Sequence, residues 1–137
     1  MKDSREIAEF HSERFVPVLP DECQVNPQVY GMELAFWLCS ELAQCGIVTS
    51  YPESEDWGWY IEYNADSGAE FAVDCGNVGG ASDHWLLCLR RFGRRLFGRD
   101  KPPFSDATPL ISRTRKILET ESSVSNLEWR YPETAND

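Results

Sequence analysis

Histidine and cysteine are the side chains in this 137-residue chain best suited to nucleophilic or general-base work, and there are two of the first and five of the second. Asp83-His84 follows a glycine-rich stretch, Gly76 to Ser82, and Cys75 stands just before that stretch. A thiolate beside an imidazole is an acyl-transfer nucleophile, and a neighbouring carboxylate would orient the ring. Cys75, Asp83 and His84 are therefore the candidate catalytic set. The plain alternative is a buried thiol and a hydrogen-bonded histidine, which needs no reaction. No HExxH, GxSxG, P-loop or EF-hand pattern is present, and Gly79-Gly80 lacks the spacing of a dinucleotide fingerprint. No cofactor is implied. Cys23, Cys39, Cys45, Cys75 and Cys88 include no CxxC pair, so neither a zinc set nor a full disulfide framework is expected.

The other chemistry is electrostatic. Residues 15–89 contain twelve Asp or Glu and no Lys or Arg, in a chain whose formal net charge is −10. The sign then reverses at Arg90, Arg91, Arg94, Arg95, Arg99 and Lys101. An acidic surface of this size steers in a basic protein partner and repels nucleic acid. Alternatively, the basic stretch folds back and cancels it. Glu53, Glu55 and Asp56 stand directly before Trp57 and Trp59, with Glu62 close behind. Acids to attract and aromatics to anchor are the mixture interfaces use, so these six are the candidate partner-binding residues.

These groups have to be positioned by a fold. Leu34, Ala35, Leu38, Leu42 and Cys45 recur at helical spacing, and Asn26, Pro27 and Gly46 suit the two ends, which predicts a helix over 26–46. Met32, Phe36 and Trp37 lie off its main stripe and call for a second cover, from the chain itself or from a dimer mate. Residues 57–63, 69–75 and 84–89 alternate apolar and polar positions and predict an antiparallel meander. Phe15 to Pro20 and Ile47 to Tyr51 read as further extended segments. Thr108-Pro109 opens a second helix with Leu110, Thr114, Ile117 and Leu118 inward, and Asn126 to Tyr131 reads as a last strand. Residues 1–14 predict a weakly ordered leading helix, and 90–105 a basic loop. The expected whole is a single α+β domain over 1–137, an antiparallel sheet of four to five strands with two helices on one face.

Trp57-Gly58-Trp59 after an acidic loop, Asp83-His84-Trp85 opening a strand, the Leu96-Phe97-Gly98-Arg99 segment and Leu127-Glu128-Trp129 together resemble small, uncharacterised bacterial proteins of this length. In size, acidity and helix-on-sheet layout the chain is also similar to immunity proteins that neutralise partner toxins. That similarity implies a non-enzymatic interaction protein with a basic partner, and it carries no functional residue across. No apolar run approaches the roughly 20 residues that span a bilayer, and Met1 to Glu6 has no signal-peptide core, so a cytoplasmic protein is expected.

Overall fold

The computed structural model describes residues 4–92 and 101–132. The architecture is α+β: one antiparallel sheet of six strands and two helices. In chain order the elements are β1 (Ser4–His11), α1 (Met32–Gln44), β2 (Glu53–Glu55), β3 (Gly58–Asn64), β4 (Glu70–Asn77), β5 (His84–Arg91), α2 (Thr108–Thr120) and β6 (Ser125–Trp129). The sheet order β2-β3-β4-β5-β1-β6 makes β2 to β5 a meander, as their alternation predicts, and places the first strand between the fifth and the last.

The expected leading helix is thus a strand with partners on both sides. A bulge between Glu6 and Ala8 explains the misreading. It sends Ile7 and Ala8 both inward, so period-2 alternation breaks, and Ile7 and Phe10 fall three apart as on a helix. The sheet gains further width from β2, three residues in the stretch expected to be an acidic loop. Six strands result where four to five were expected.

One side of the sheet carries the core. Ile61, Phe71, Val73, Leu87, Leu89, Trp85 and Phe10 pack with Leu34, Leu38 and Leu42 of α1 and Leu110, Ile117 and Leu118 of α2 in a single cluster. Each fully buried side chain of this size contributes about 1.5–3 kcal/mol relative to exposure.

Helix α1 starts later than its sequence signals suggest. Asn26 does not cap; its side-chain amide donates to the Asp56 carbonyl at 2.9 Å. Residues 26–31 instead form a loop fastened to β4, with Asn77 accepting from the Tyr30 N–H at 3.0 Å and donating to Gln28 O at 2.9 Å. Gly31 ends that loop at φ 146°, where a Cβ would be driven into the Cys75 carbonyl. Only glycine permits so close an approach. The other end is as expected, with Gly46 at φ 84°.

Neither further extended segment forms a strand. Phe15 is buried against Trp37, ring centroids 4.9 Å apart, and the Pro17 to Pro20 stretch wraps past α1 as a loop. Residues 47–51 are hydrogen-bonded to β3 at Ser50, whose N–H donates to Glu62 O at 2.9 Å and whose hydroxyl accepts from the Glu62 N–H at 2.8 Å. At α2 the Thr108 hydroxyl donates to Ser105 O at 2.6 Å instead of capping the helix. Arg90 and Arg91 belong to β5 and are not loop residues. Arg94, Arg95 and Arg99 lie outside the described residues.

Candidate functional site

Strand alternation decides the fate of the candidate catalytic set. Cys75 sits opposite Leu87 on the core side of β4, fully buried, its thiol directed to Val73 O at 3.8 Å. Burial pushes that thiol well above its ordinary value, so it is held protonated and is a poor nucleophile. His84 precedes the core residue Trp85 and so lies on the opposite face. Its Nε2 is 2.5 Å from a Glu9 oxygen, and its ring stacks on His11 at 4.2 Å. Asp83 is exposed at the strand entrance, its carbonyl accepting from the Ser12 N–H at 3.0 Å. The three residues are not brought together, because Cys75 shares the core face with Trp85 and Leu87, His84 alternates to the other face, and Asp83 stands before the strand begins.

What His84 joins is an ion-pair lattice across β5, β1 and β6. Arg130 donates to Glu6 at 2.8 Å, to the second Glu9 oxygen at 2.5 Å and to Glu128 at 3.0 Å. Both Glu9 oxygens are engaged, which suits bracing more than proton abstraction. Among the described residues no three His, Cys, Asp or Glu side chains are grouped as metal ligands.

The partner-binding candidates divide between the two sides of the β2–β3 hairpin. Glu53 pairs with Tyr60 and Glu55 with Gly58, so both carboxylates project from the side of the sheet away from the helices, with Glu62 beside them. Asp56 and Trp57 form the exposed turn, Trp57 at 47% exposure. Trp59 alternates to the helix side, opposite Cys75.

On the outer side the rings of Trp57, Tyr60 and Phe92 surround the Arg90 guanidinium at 5.7, 5.3 and 5.3 Å. Arg90 also grips Asp74 with two parallel bonds, Nε at 3.0 Å and Nη2 at 2.9 Å. The contact acts unequally on its partners. Burial raises the Asp74 pKa, and Arg90 only partly offsets this, Asp74 being the less exposed of the two at 18% against 27%. Burial tends to lower that of Arg90, yet the Asp74 bond and charge outweigh it and hold the guanidinium firmly cationic.

The neighbouring carboxylates compete. Glu62 is pushed up by partial burial, then by a hydrogen bond and charge repulsion from Glu53, with Arg90 partly opposing. Tyr60, whose hydroxyl donates to Glu53 at 3.3 Å, is raised by burial and then by the charges of Glu53, Glu55 and Glu62. Among the described residues four acids thus share one close cation in this corner, with the charge of Glu53 pressing on Glu62 and that of Glu55 on Asp74.

No family model matches the chain, and no curated protein or solved structure matches it either.

The basic patch is not one surface. Arg90 faces the acidic corner, whereas Arg91 points to the core side, where it lies 4.1 Å over Phe104 and donates to Pro102 O at 2.7 Å. Lys101 is half-buried beyond it. Sequence reasoning missed Tyr60, Asp74 and Phe92 as parts of the corner. Cross-strand register was the missing signal: Tyr60 faces Asp74, and Arg90 stands one diagonal step away opposite Ala72.

Proposed function

We propose that the chain is a non-enzymatic protein-interaction module that takes a basic protein partner on the outer side of the β2–β3 hairpin, in the manner of immunity or antitoxin proteins. The observation that carries this reading is the crowding of Glu53, Glu55, Glu62 and Asp74 around the Arg90 guanidinium, the one cation of this corner among the described residues, beside the exposed ring of Trp57. Carboxylates crowded this closely repel one another, so each gains when a partner delivers further positive charge, which relieves repulsion as well as adding attraction. Trp57 adds a rigid apolar anchor next to them.

The test compares wild type with the E53Q/E55Q/E62Q variant for retention of a basic protein encoded next to this chain, at two salt concentrations. Weakening by tenfold or more in the variant, and a similar loss for wild type between about 0.05 and 0.3 M salt, is the expected result. Retention indifferent to both changes would rule out electrostatic capture.

A further inference from the structure

On the helix side of the same hairpin runs a trough of about 690 Å³, walled by Val18, Leu19, Met32, Phe36, Tyr51 and Trp59. Its walls are unusually bare for apolar side chains: Val18 is 81% exposed, Tyr51 75%, Leu19 54% and Phe36 46%. A contiguous apolar surface of this kind is a binding feature more often than an accident. Glu33 is the one charged side chain in its lining among the described residues.

We propose that this trough binds a short amphipathic segment of a protein partner, with apolar side chains seated between Phe36, Tyr51 and Trp59 and a Lys or Arg on Glu33. The proposal rests on the basic partner argued above and names a second part of it.

Three features choose this occupant. First, the charge is complementary. The walls come from residues 18–59, within the stretch that has no Lys or Arg, and Asp21, Glu22 and Glu53 adjoin Leu19 and Pro52 in the chain. A second copy of this chain would bring the same acidic rim against itself, and an anionic lipid surface would meet like charge. Second, one Glu33 oxygen accepts the Val18 N–H at 3.1 Å, and its other oxygen has no described partner. The carboxylate is therefore held in place with one oxygen available to a cation. Third, elsewhere the fold repeatedly lays its own arginine on an aromatic ring: Arg14 on Trp37, Arg90 on Trp57 and Tyr60, Arg115 on Trp129. Among the described residues the trough has three aromatic rings and an acid but no arginine. Its open form suits a chain segment better than a small molecule, which needs enclosure on most sides.

The probe is a fluorescein-labelled 14-residue peptide with Leu at helical spacing and Lys on the flanks, compared with a Leu→Ser version and a Lys→Glu version. Anisotropy titrations are run on wild type, Phe36→Ser, Glu33→Gln and the E53Q/E55Q/E62Q variant, with the ¹H–¹⁵N signals of wild type followed in parallel. Expected are a shift of the Trp59 indole N–H signal on peptide addition, about tenfold weaker binding for Phe36→Ser and the Leu→Ser peptide, and several-fold weaker binding for Glu33→Gln. If the E53Q/E55Q/E62Q variant alone weakens binding and Trp59 does not shift, the trough proposal fails while the acidic-corner reading stands. If the Lys→Glu peptide binds as well as the Lys peptide, the cation on Glu33 is refuted. Self-association of wild type that Phe36→Ser abolishes would overturn the proposal in favour of a second copy. The wild-type spectra keep the test decisive should a variant misfold.

Discussion

On one side of the β2–β3 hairpin Trp57, Tyr60 and Phe92 close around Arg90, and on the other Trp59, Phe36 and Tyr51 line a trough that contains no cation among the described residues. The two surfaces have the same ingredients, aromatic rings beside carboxylates, and differ in whether the chain supplies its own arginine. Where it does, the rings and Asp74 are tied into the fold and their removal registers as lost stability. Where it does not, Phe36 and Tyr51 stay exposed and their removal leaves the fold intact, while Trp59 also packs against the core. Stability and binding should thus separate cleanly across a hairpin only two residues deep in its turn.

The largest expected effect tests whether the loop that sets up the trough is as constrained as its backbone suggests. Gly31→Ala puts a Cβ against the Cys75 carbonyl at a left-handed φ and should cost about 3 kcal/mol, measured by the denaturant midpoint. An unchanged midpoint would mean the loop yields. Next, Arg90→Met leaves Asp74 without its cation and should cost about 2–3 kcal/mol; adding Asp74→Asn should recover much of that loss, since the orphaned charge and not the missing contact dominates. A double variant no better than the single one would break this account of the filled corner.

The comparison is sharpest between two exposed rings. Trp57→Ser should destabilise by about 0.5–1 kcal/mol through the lost guanidinium contact, whereas Phe36→Ser should stay within about 0.5 kcal/mol of wild type. Equal losses in thermal unfolding would erase the distinction. The smallest effect concerns Glu62. Its folded-state pKa is above the ordinary 4.5, so the folded protein binds that proton more tightly than the unfolded chain does. Its unfavourable contribution therefore appears as pH rises through the range above 4.5 and is absent below it. Glu62→Gln should raise stability slightly at pH 7, by about 0.5 kcal/mol or less, and the gain should vanish near pH 4. A gain that persists in acid would point to some cause other than charge.

Much of the frame was legible in the sequence. Strands β3, β4 and β5 follow from alternation, and both helices from their apolar stripes, because each buries one face against a common core. The β1 strand was not, since its bulge mimics helical spacing at Ile7 and Phe10. The start of α1 was not, since a glycine needed for a close approach to β4 outweighs good capping residues upstream. Of the candidate site, the acids and Trp57 were visible as neighbours in the chain. Their placement on one face beside Arg90 depends on strand register. The trough draws Val18, Phe36, Tyr51 and Trp59 from four separate segments, and no local pattern connects them.

The position of the first strand has a consequence for assembly. Strand β1 hydrogen-bonds to β5 some eighty residues later and to β6 beyond that, and Arg130 reaches back to Glu6 across 124 positions. The meander can close from neighbouring segments, but the opening strand must wait for a slot between two late arrivals. During synthesis it leaves the ribosome well before either partner strand, which predicts slow completion and an interval in which Ile7 and Phe10 depend on chaperones or local collapse for shelter.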